Sequence, residues 1–167
     1  MAALLLFAGA AAAWAQPKSD WERLDEERNW QEIEFALPPI PRRENRLPFS
    51  VGSGSDFGFF VDRPSISVGK DGVVRYTLIA LSPLGVENVS FEGVRCKSRE
   101  HKTYATGRAD GSWSHRESPW RRAAQRWQQA LRMEYFCPQG VPIATAAEGI
   151  DALRRGGHPN KGPVSGD

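Results

Sequence analysis

The chain is poor in the residues that most often build reactive or metal-binding sites. Its 167 residues include two cysteines, two methionines and three histidines. The histidines, His101, His115 and His158, share no helical or hairpin spacing, whereas a zinc site needs three or four convergent ligands. The sequence contains no phosphate-binding loop, nucleophile elbow or HExxH motif. It therefore predicts no metal, no cofactor and no known catalytic motif.

The chain also lacks an excess of charge of either sign. With 22 Lys and Arg against 20 Asp and Glu, the formal net charge is +2. This balance excludes a strongly basic nucleic-acid-binding protein, and we expect no nucleic-acid partner. No segment after residue 15 is long and apolar enough for a transmembrane helix. Hydrophobic residues at 40% and charged residues at 25% predict one globular domain with tails.

The first fifteen residues contain no charged side chain. An apolar start at Leu4 to Phe7 leads into a run of Ala and Gly, and Ala13 and Ala15 place small residues before a cut at Gln16. The pattern is typical of a secretory signal peptide, because the apolar run is shorter than the ~20 residues that a permanent anchor needs. The alternative is a buried N-terminal helix. We expect the mature chain to be an exported, soluble, periplasmic protein.

The two cysteines, Cys96 and Cys137, lie far apart in the chain. In an exported protein, an even number of cysteines predicts a disulfide. Closing so long a loop would stabilise the fold by roughly 4 kcal/mol on the chain-entropy model. The alternative is a reactive or metal-binding pair, but the spacing is not CxxC and no histidine lies beside either cysteine. We therefore predict one structural disulfide.

Residues 16–48 are predicted to form an N-terminal helix and a proline-rich connector. Ser19 and Glu22 match a capping box, and the helix is expected to continue to about Glu32. The segment Leu37–Pro41 contains three prolines and cannot be helical, because proline removes backbone donors. We expect it to run as an extended connector over the domain.

From Phe57 onward the hydrophobic pattern changes to a period of two, which is typical of strands. Gly69–Gly72 is a strong hairpin signal, and the strand after it, Val73–Leu81, is apolar on both faces and is expected to be central. The other predicted strands share this alternation; they cover residues 57–62, 65–68, 89–96 and 102–106.

Two helices are predicted after the strands. Ser118 and Pro119 have the form of a helix start, and an apolar stripe with helical spacing extends to residue 136. Thr145 and Glu148 form a second capping box, which opens a short helix that ends before Gly156. Residues 157–167, including His158, are expected to be disordered.

These elements predict an α+β fold. We expect an antiparallel sheet of four or five strands, with one long C-terminal helix (119–136) packed on it and one disulfide joining the two. The predicted organisation is a signal peptide (1–15), a helix and connector (16–48), a core domain (49–140) and a short helix with a tail (141–167).

Four parts of the chain carry a family resemblance: Asp62–Tyr76, Asn88–Cys96, Tyr104–Ala105 with Trp113, and Tyr135–Pro138. As a set they resemble the cryptic-neisserial-protein-like family of small exported proteobacterial proteins, which have no assigned activity. The resemblance covers roughly residues 20–140 and implies a periplasmic location. It provides no functional residues to carry over. Some members are regarded as lipoproteins, but no cysteine follows the predicted cleavage site here.

The lack of catalytic motifs favours a protein without catalytic activity. Our first hypothesis is a periplasmic interaction or envelope-accessory protein, whose partner is an envelope protein or a ligand. Its candidate binding residues lie on strands near Cys96; they are Glu92, Arg95, Tyr104 and Trp113.

Two alternatives remain open. The first is a small periplasmic hydrolase that acts on nucleic acid or cell-wall polymer with His101, His115 or Glu92, and it requires these side chains to converge in a cleft. The second is a small-ligand-binding protein with an apolar pocket beneath the segment Phe57–Phe60.

Overall fold

The computed structural model describes residues 18–162, and the predicted signal peptide lies outside them. The described residues belong to two separate units, 18–32 and 33–162. The first unit contains helix α1 (Asp20–Arg28), which begins at the predicted capping box: the Ser19 N–H donates to the Glu22 carboxylate at 2.7 Å. Among the described residues, no helix has the length and apolarity needed to cross a membrane.

Within the described part of the second unit, the chain forms an eight-stranded antiparallel sheet. Its main path has the order β1-β2-β4-β5-β6-β7, while β3 also pairs with β4 and β8 also pairs with β6. The strands are β1 (Arg46–Phe49), β2 (Gly58–Asp62), β3 (Ser67–Val68), β4 (Val73–Leu81), β5 (Glu87–Arg95), β6 (Glu100–Gly107), β7 (Trp113–His115) and β8 (Arg121–Arg122).

Strand β4 is the centre of this sheet, as the sequence predicted. Its bounds match the predicted strand, it pairs with β2, β3 and β5, and its first seven residues are buried. The hairpin before it is also confirmed, because the Gly72 N–H donates to the Gly69 carbonyl at 3.0 Å and Gly72 has a φ of 75°. Glycine adopts this left-handed conformation without steric cost.

The prediction of a long C-terminal helix over 119–136 is wrong. The Thr103 N–H donates to the Ser118 hydroxyl at 2.9 Å, and the next residues form β8, which pairs Arg121 with His101. Pairing with β6 therefore uses the residues that were expected to begin the helix. Only the later part of the segment is helical, as α2 (Arg126–Ala130) followed by a π-helical segment (Leu131–Phe136).

The expected four or five strands are also too few, so the fold is mostly β rather than α+β with a long helix. Strand β1 was missed because it contains Pro48, which is tolerated here since β1 is an edge strand and pairs only with β2. Strand β3 falls within the predicted strand over 65–68, whereas β7 and β8 were missed because they contain only three and two residues, too few for an alternating pattern to be visible.

The predicted disulfide between Cys96 and Cys137 is confirmed, with the two Cα atoms 5.4 Å apart. It joins the end of β5 to the end of the π-helical segment. The main core lies between this segment and one face of the sheet, and the ring of Phe136 packs 5.2 Å from that of Tyr76. We call this side of the sheet the core face; β4 presents Val74, Tyr76 and Leu78 to it.

The opposite face of the sheet is covered by the connector before β1. Phe35 packs 4.4 Å from the Tyr104 ring, and the buried Arg75 guanidinium lies 4.7 Å from the Phe35 ring. Asp71, whose side chain is also fully buried, pairs with Arg75 at 2.6 Å and accepts the Ile33 N–H at 3.2 Å. One carboxylate therefore neutralises a buried cation and also holds the connector against the sheet.

The predicted short helix is α3 (Ala146–Arg155), and Thr145 caps it by accepting the Glu148 N–H at 3.2 Å. Gly156 follows in the left-handed conformation, as expected for a helix C-cap. His158 was expected in a disordered tail, but it is buried: its N–H donates to the Glu134 carbonyl and its Nε2 lies 2.9 Å from Glu148.

Removing the disulfide will destabilise the fold. Its cysteines are 41 positions apart, so opening this loop in a Cys96→Ala, Cys137→Ala variant should lower the free energy of unfolding by roughly 4 kcal/mol. Urea denaturation of the oxidised protein and of the variant measures the difference. Equal midpoints would contradict a stabilising role for the cross-link.

Removing one member of a buried ion pair should lower the free energy of unfolding by a similar amount. Asp71→Ala removes the carboxylate that pairs with the buried Arg75 at 2.6 Å, and we expect a loss of about 3–5 kcal/mol in unfolding free energy. The control is Asp110→Ala, because Asp110 accepts the Ser112 N–H in an exposed turn and pairs with no buried cation. A loss in Asp71→Ala no larger than that of the control would show that the ion pair contributes little.

Candidate functional site

A cavity lies on the core face of the sheet, toward the end of β4 and the start of β5. Its volume is about 640 Å³. The floor comes from β4, β5 and β6, while one wall comes from the segment before β2 and another from the start of α2. The lining residues are Gly54, Ser55, Phe57, Phe59, Leu78, Ala80, Glu87, Asn88, Val89, Ser90, Glu92, Thr106, Gly107, Gln125, Arg126 and Trp127.

The floor contains a buried carboxyl group, Glu92. The register pairs Glu92 with Tyr76 of β4, so both side chains point to the core face. The Ser90 hydroxyl donates to Glu92 Oε1 at 2.7 Å, and the Tyr76 hydroxyl lies 3.1 Å from Oε2. Each oxygen therefore has one partner, and a carboxylate can accept further hydrogen bonds.

Tyr76 links Glu92 to a buried histidine. The Tyr76 hydroxyl lies 3.2 Å from Nδ1 of His101, and the same Nδ1 is 4.0 Å from Glu92 Oε2. The phenol has only one proton, so it donates to one neighbour and accepts from the other. Glu92, Tyr76 and His101 thus form a hydrogen-bonded chain, which we call the Glu92–Tyr76–His101 chain.

Burial disfavours the charged form of all three members of this chain. Desolvation raises the pKa of Glu92, against the hydrogen bonds from Ser90 and Tyr76 and the nearby Trp127 indole N–H, which lower it. Desolvation also lowers the pKa of His101 to about 3 and raises the pKa of Tyr76 well above its ordinary value. His101 is therefore neutral near pH 7 and supplies no positive charge to Glu92.

Aromatic side chains form one wall of the cavity. The Phe57 and Phe59 rings stack with centroids 6.2 Å apart, and Phe59 stacks on Trp127 at 5.7 Å. The buried Trp127 Nε1 makes no hydrogen bond of normal length to the described residues, although it is near enough to Glu92 to lower the pKa of that carboxyl. The wall therefore offers an apolar surface and one unused donor.

The other charged groups of the lining have partners of their own. Glu87 accepts two hydrogen bonds from the Arg46 guanidinium, at 2.9 and 2.7 Å. The Arg126 guanidinium donates to the Ser53 carbonyl at 2.7 Å, on the exposed edge of the cavity. Glu92 differs from both groups because it is buried and has no opposite charge beside it among the described residues.

The four predicted binding residues do not form one exposed groove. Glu92 faces the cavity, whereas Tyr104 lies on the opposite face, buried beneath Phe35. Trp113 packs near Tyr104's neighbour Phe91 and donates its indole N–H to the Pro38 carbonyl at 2.7 Å. Arg95 pairs with Glu100 at 3.3 Å. The last three side chains thus belong to the packing of the covered face.

The predicted catalytic histidines are only partly brought together. His101 lies beside Glu92, as described above, and its other side lines a separate pocket of about 210 Å³ next to β8. His115 is exposed on β7, where it pairs with Ala105. No group of three or more His, Cys, Asp or Glu side chains within residues 18–162 is arranged to hold a metal ion.

The sequence located part of the cavity and missed the rest. Phe57 and Phe59 belong to the segment that was expected to cover an apolar pocket, and both line the cavity. Trp127 lies on the apolar stripe that predicted a long helix, and Tyr76 lies in the strand Val73–Leu81, whose two faces are apolar in the sequence. The feature that would have joined Tyr76 to Glu92 is their position on the same face of the sheet. This position follows only from the pairing register of β4 and β5, which the sequence pattern does not give.

Comparison with known proteins places the chain in a family but identifies no individual relative. The model of the CNP1-like family matches residues 25–154, and this is the family that the sequence motifs resemble. No curated protein and no solved structure matches the chain.

Acid should destabilise the protein through His101. Below pH 6.5 the unfolded chain protonates this histidine, but the folded protein resists until about pH 3, so stability falls as pH falls across this window. Between pH 6 and 4, we expect the wild type to lose roughly 2 kcal/mol more than His101→Gln, measured by urea denaturation at each pH.

Glu92 acts in the opposite direction, because a raised pKa makes the folded state bind its proton more readily than the unfolded chain. Both wild type and His101→Gln contain Glu92, so the difference between their unfolding free energies at one pH cancels the contribution of Glu92. His115→Gln, which changes an exposed histidine, is the matched control and should keep the wild-type pH dependence. Parallel curves for wild type and His101→Gln would contradict the burial of a neutral His101.

Proposed function

The chain belongs to the CNP1-like family, and from that premise we propose that it is an exported, periplasmic accessory protein that binds a small ligand in the cavity on its core face. The proposal joins two hypotheses from the sequence, an accessory protein without catalytic activity and a small-ligand-binding protein. The function is binding, and the site is the cavity between the aromatic wall and Glu92.

The observation that carries this proposal is the composition of the cavity. At about 640 Å³ it has the volume of a typical small-molecule site. Most of its surface is apolar, from Phe57, Phe59, Leu78 and Trp127, and one buried polar group, Glu92, lies on its floor. Such sites combine apolar walls for affinity with a few polar groups for orientation.

Export is supported by the disulfide and by the N-terminal sequence. Disulfides persist in oxidising compartments and are rare in the bacterial cytosol. The bond between Cys96 and Cys137 is thus compatible with secretion, and so is the uncharged apolar stretch of residues 1–15. The periplasm is the compartment that both features favour.

The hydrolase remains a second hypothesis, because Glu92 and His101 do lie together. Their geometry favours binding instead: the Tyr76 hydroxyl stands between the two groups, and His101 does not line the cavity that Glu92 faces. A general base must reach the proton that it removes, directly or through one water. His115 is exposed on β7, pairs with Ala105 and does not line the cavity that Glu92 faces.

A cavity-filling variant tests the proposal. Ala80 lies on the cavity floor, so the indole ring of Ala80→Trp should occupy the cavity. The control, Leu84→Trp, adds the same ring outside the cavity, at a turn residue that is 92% exposed. We would screen envelope metabolites and simple aromatic amines, alcohols and acids by thermal shift and by saturation-transfer NMR. Near-ultraviolet circular dichroism would confirm that both variants are folded.

We expect wild type and Leu84→Trp to bind the same compounds, and Ala80→Trp to lose at least about tenfold in affinity for them, because the added ring takes their place. A screen without any bound compound in the wild type would contradict the proposal. So would compounds that bind Ala80→Trp as tightly as they bind the wild type.

A further inference from the structure

Glu92 is a buried carboxyl group without a counter-charge. It is 4% exposed, and its hydrogen-bonding partners, Ser90 and Tyr76, are both neutral. Within residues 18–162, His101 is the titratable base in ion-pair range, at 4.0 Å, and burial keeps its ring neutral. Buried carboxylates in proteins are almost always paired with a positive charge. Residues 18–162 thus supply no positive charge to pair with this carboxyl group.

The open side of Glu92 is the cavity. Glu92 contributes to the cavity floor, and both of its oxygens can accept a further hydrogen bond from that side. The only cation of the described lining is Arg126, which is exposed and already donates to the Ser53 carbonyl. Glu87, the second acid of the lining, is neutralised by Arg46. A positive group that enters the cavity therefore finds one unpaired carboxyl, that of Glu92.

The aromatic wall suits the same kind of ligand. Trp127 and Phe59 are stacked beside the carboxyl, and the faces and edges of such rings contact alkyl and aromatic groups with little desolvation cost. The faces of aromatic rings also attract cations, tryptophan most strongly. An aromatic wall next to a carboxylate is the arrangement that recognises an ammonium group on an apolar body.

We propose that the cavity ligand is an organic ammonium ion, a primary or substituted amine on an apolar or aromatic body, whose positive nitrogen pairs with Glu92 and whose body packs against Phe59 and Trp127. The inference rests on the proposed ligand-binding function and assigns the chemical class of that ligand. Neutral or anionic molecules of the same shape would leave the Glu92 carboxyl without its counter-charge.

Binding of the ammonium ion also sets the direction of the Glu92–Tyr76–His101 chain. An ionised Glu92 accepts hydrogen bonds only, so the Tyr76 hydroxyl must donate to it. The phenol oxygen can then accept from Nδ1 of His101 when that nitrogen carries the imidazole proton; the competing position for the proton is Nε2, on the side of the Gln128 backbone. If Glu92 was protonated before binding, its proton leaves to solvent, and the charge of the site is balanced by the bound cation.

The test compares three probes that share one aromatic body: 2-phenylethylammonium, 2-phenylethanol and phenylacetate. Isothermal titration calorimetry on the full chain at pH 7 measures their affinities. We expect the ammonium probe to bind at least about tenfold more tightly than the alcohol, and the carboxylate to bind most weakly. Glu92→Gln should bring the ammonium and the alcohol to equal affinity.

The matched control is Glu87→Gln, which removes the other carboxylate of the lining but not the proposed partner. It should keep the preference for the ammonium probe. The comparison of probes on the wild type does not depend on how well either variant folds.

The possible failures are distinguishable. If the alcohol or the carboxylate binds as tightly as the ammonium probe, the assignment of an ammonium ligand is overturned while the cavity remains a binding site. If none of the three probes binds and the wider screen is also flat, the proposed binding function itself fails.

Discussion

The disulfide between Cys96 and Cys137 is the constraint on which the rest of this structure depends. It fixes the end of the π-helical segment to the end of β5, and so holds α2 and its Trp127 over the core face of the sheet. The same attachment presses Phe136 against Tyr76 and closes the protein around the Glu92–Tyr76–His101 chain. A small domain with short helices gains much of its order from one covalent link of this kind.

Each face of the sheet has a buried carboxyl group, and the two groups differ in the partners that surround them. Asp71 is paired with Arg75 and accepts backbone N–H groups; despite burial, these partners hold the pKa of Asp71 below its ordinary value. Glu92 has neutral partners only, and burial raises its pKa. The first carboxyl is satisfied within the fold and stabilises the packing of the connector. The second is satisfied only in part and faces a cavity, and this difference separates a structural group from a candidate binding group.

The sequence predicted those features that depend on local pattern. Strand β4, the hairpin at Gly69–Gly72 and the cap of α3 follow from residues close together in the chain, and the disulfide follows from the count of cysteines. The helix over 119–136 was wrong because β6 offers backbone groups to residues 118–122, and pairing with a distant strand overrides a helical pattern. The sheet has eight strands and not the expected four or five, because short strands such as β1 and β8 show no alternating hydrophobic pattern in the sequence.

The site was predictable only in pieces for the same reason. Glu92 was singled out, but Arg95, Tyr104 and Trp113 were grouped with it through their nearness in sequence, although the pleat of the sheet sends them to the other face. The hydrogen-bonding partners of Glu92 in the chain, Tyr76 and then His101, come from the two neighbouring strands, and the pairing register places them there.

The most direct measurement is a ¹³C NMR titration of the Glu92 side-chain carboxyl. The account predicts a pKa above the ordinary glutamate value in the free protein and a fall of that pKa when 2-phenylethylammonium saturates the cavity. A pKa at or below the ordinary value in the free protein would contradict it.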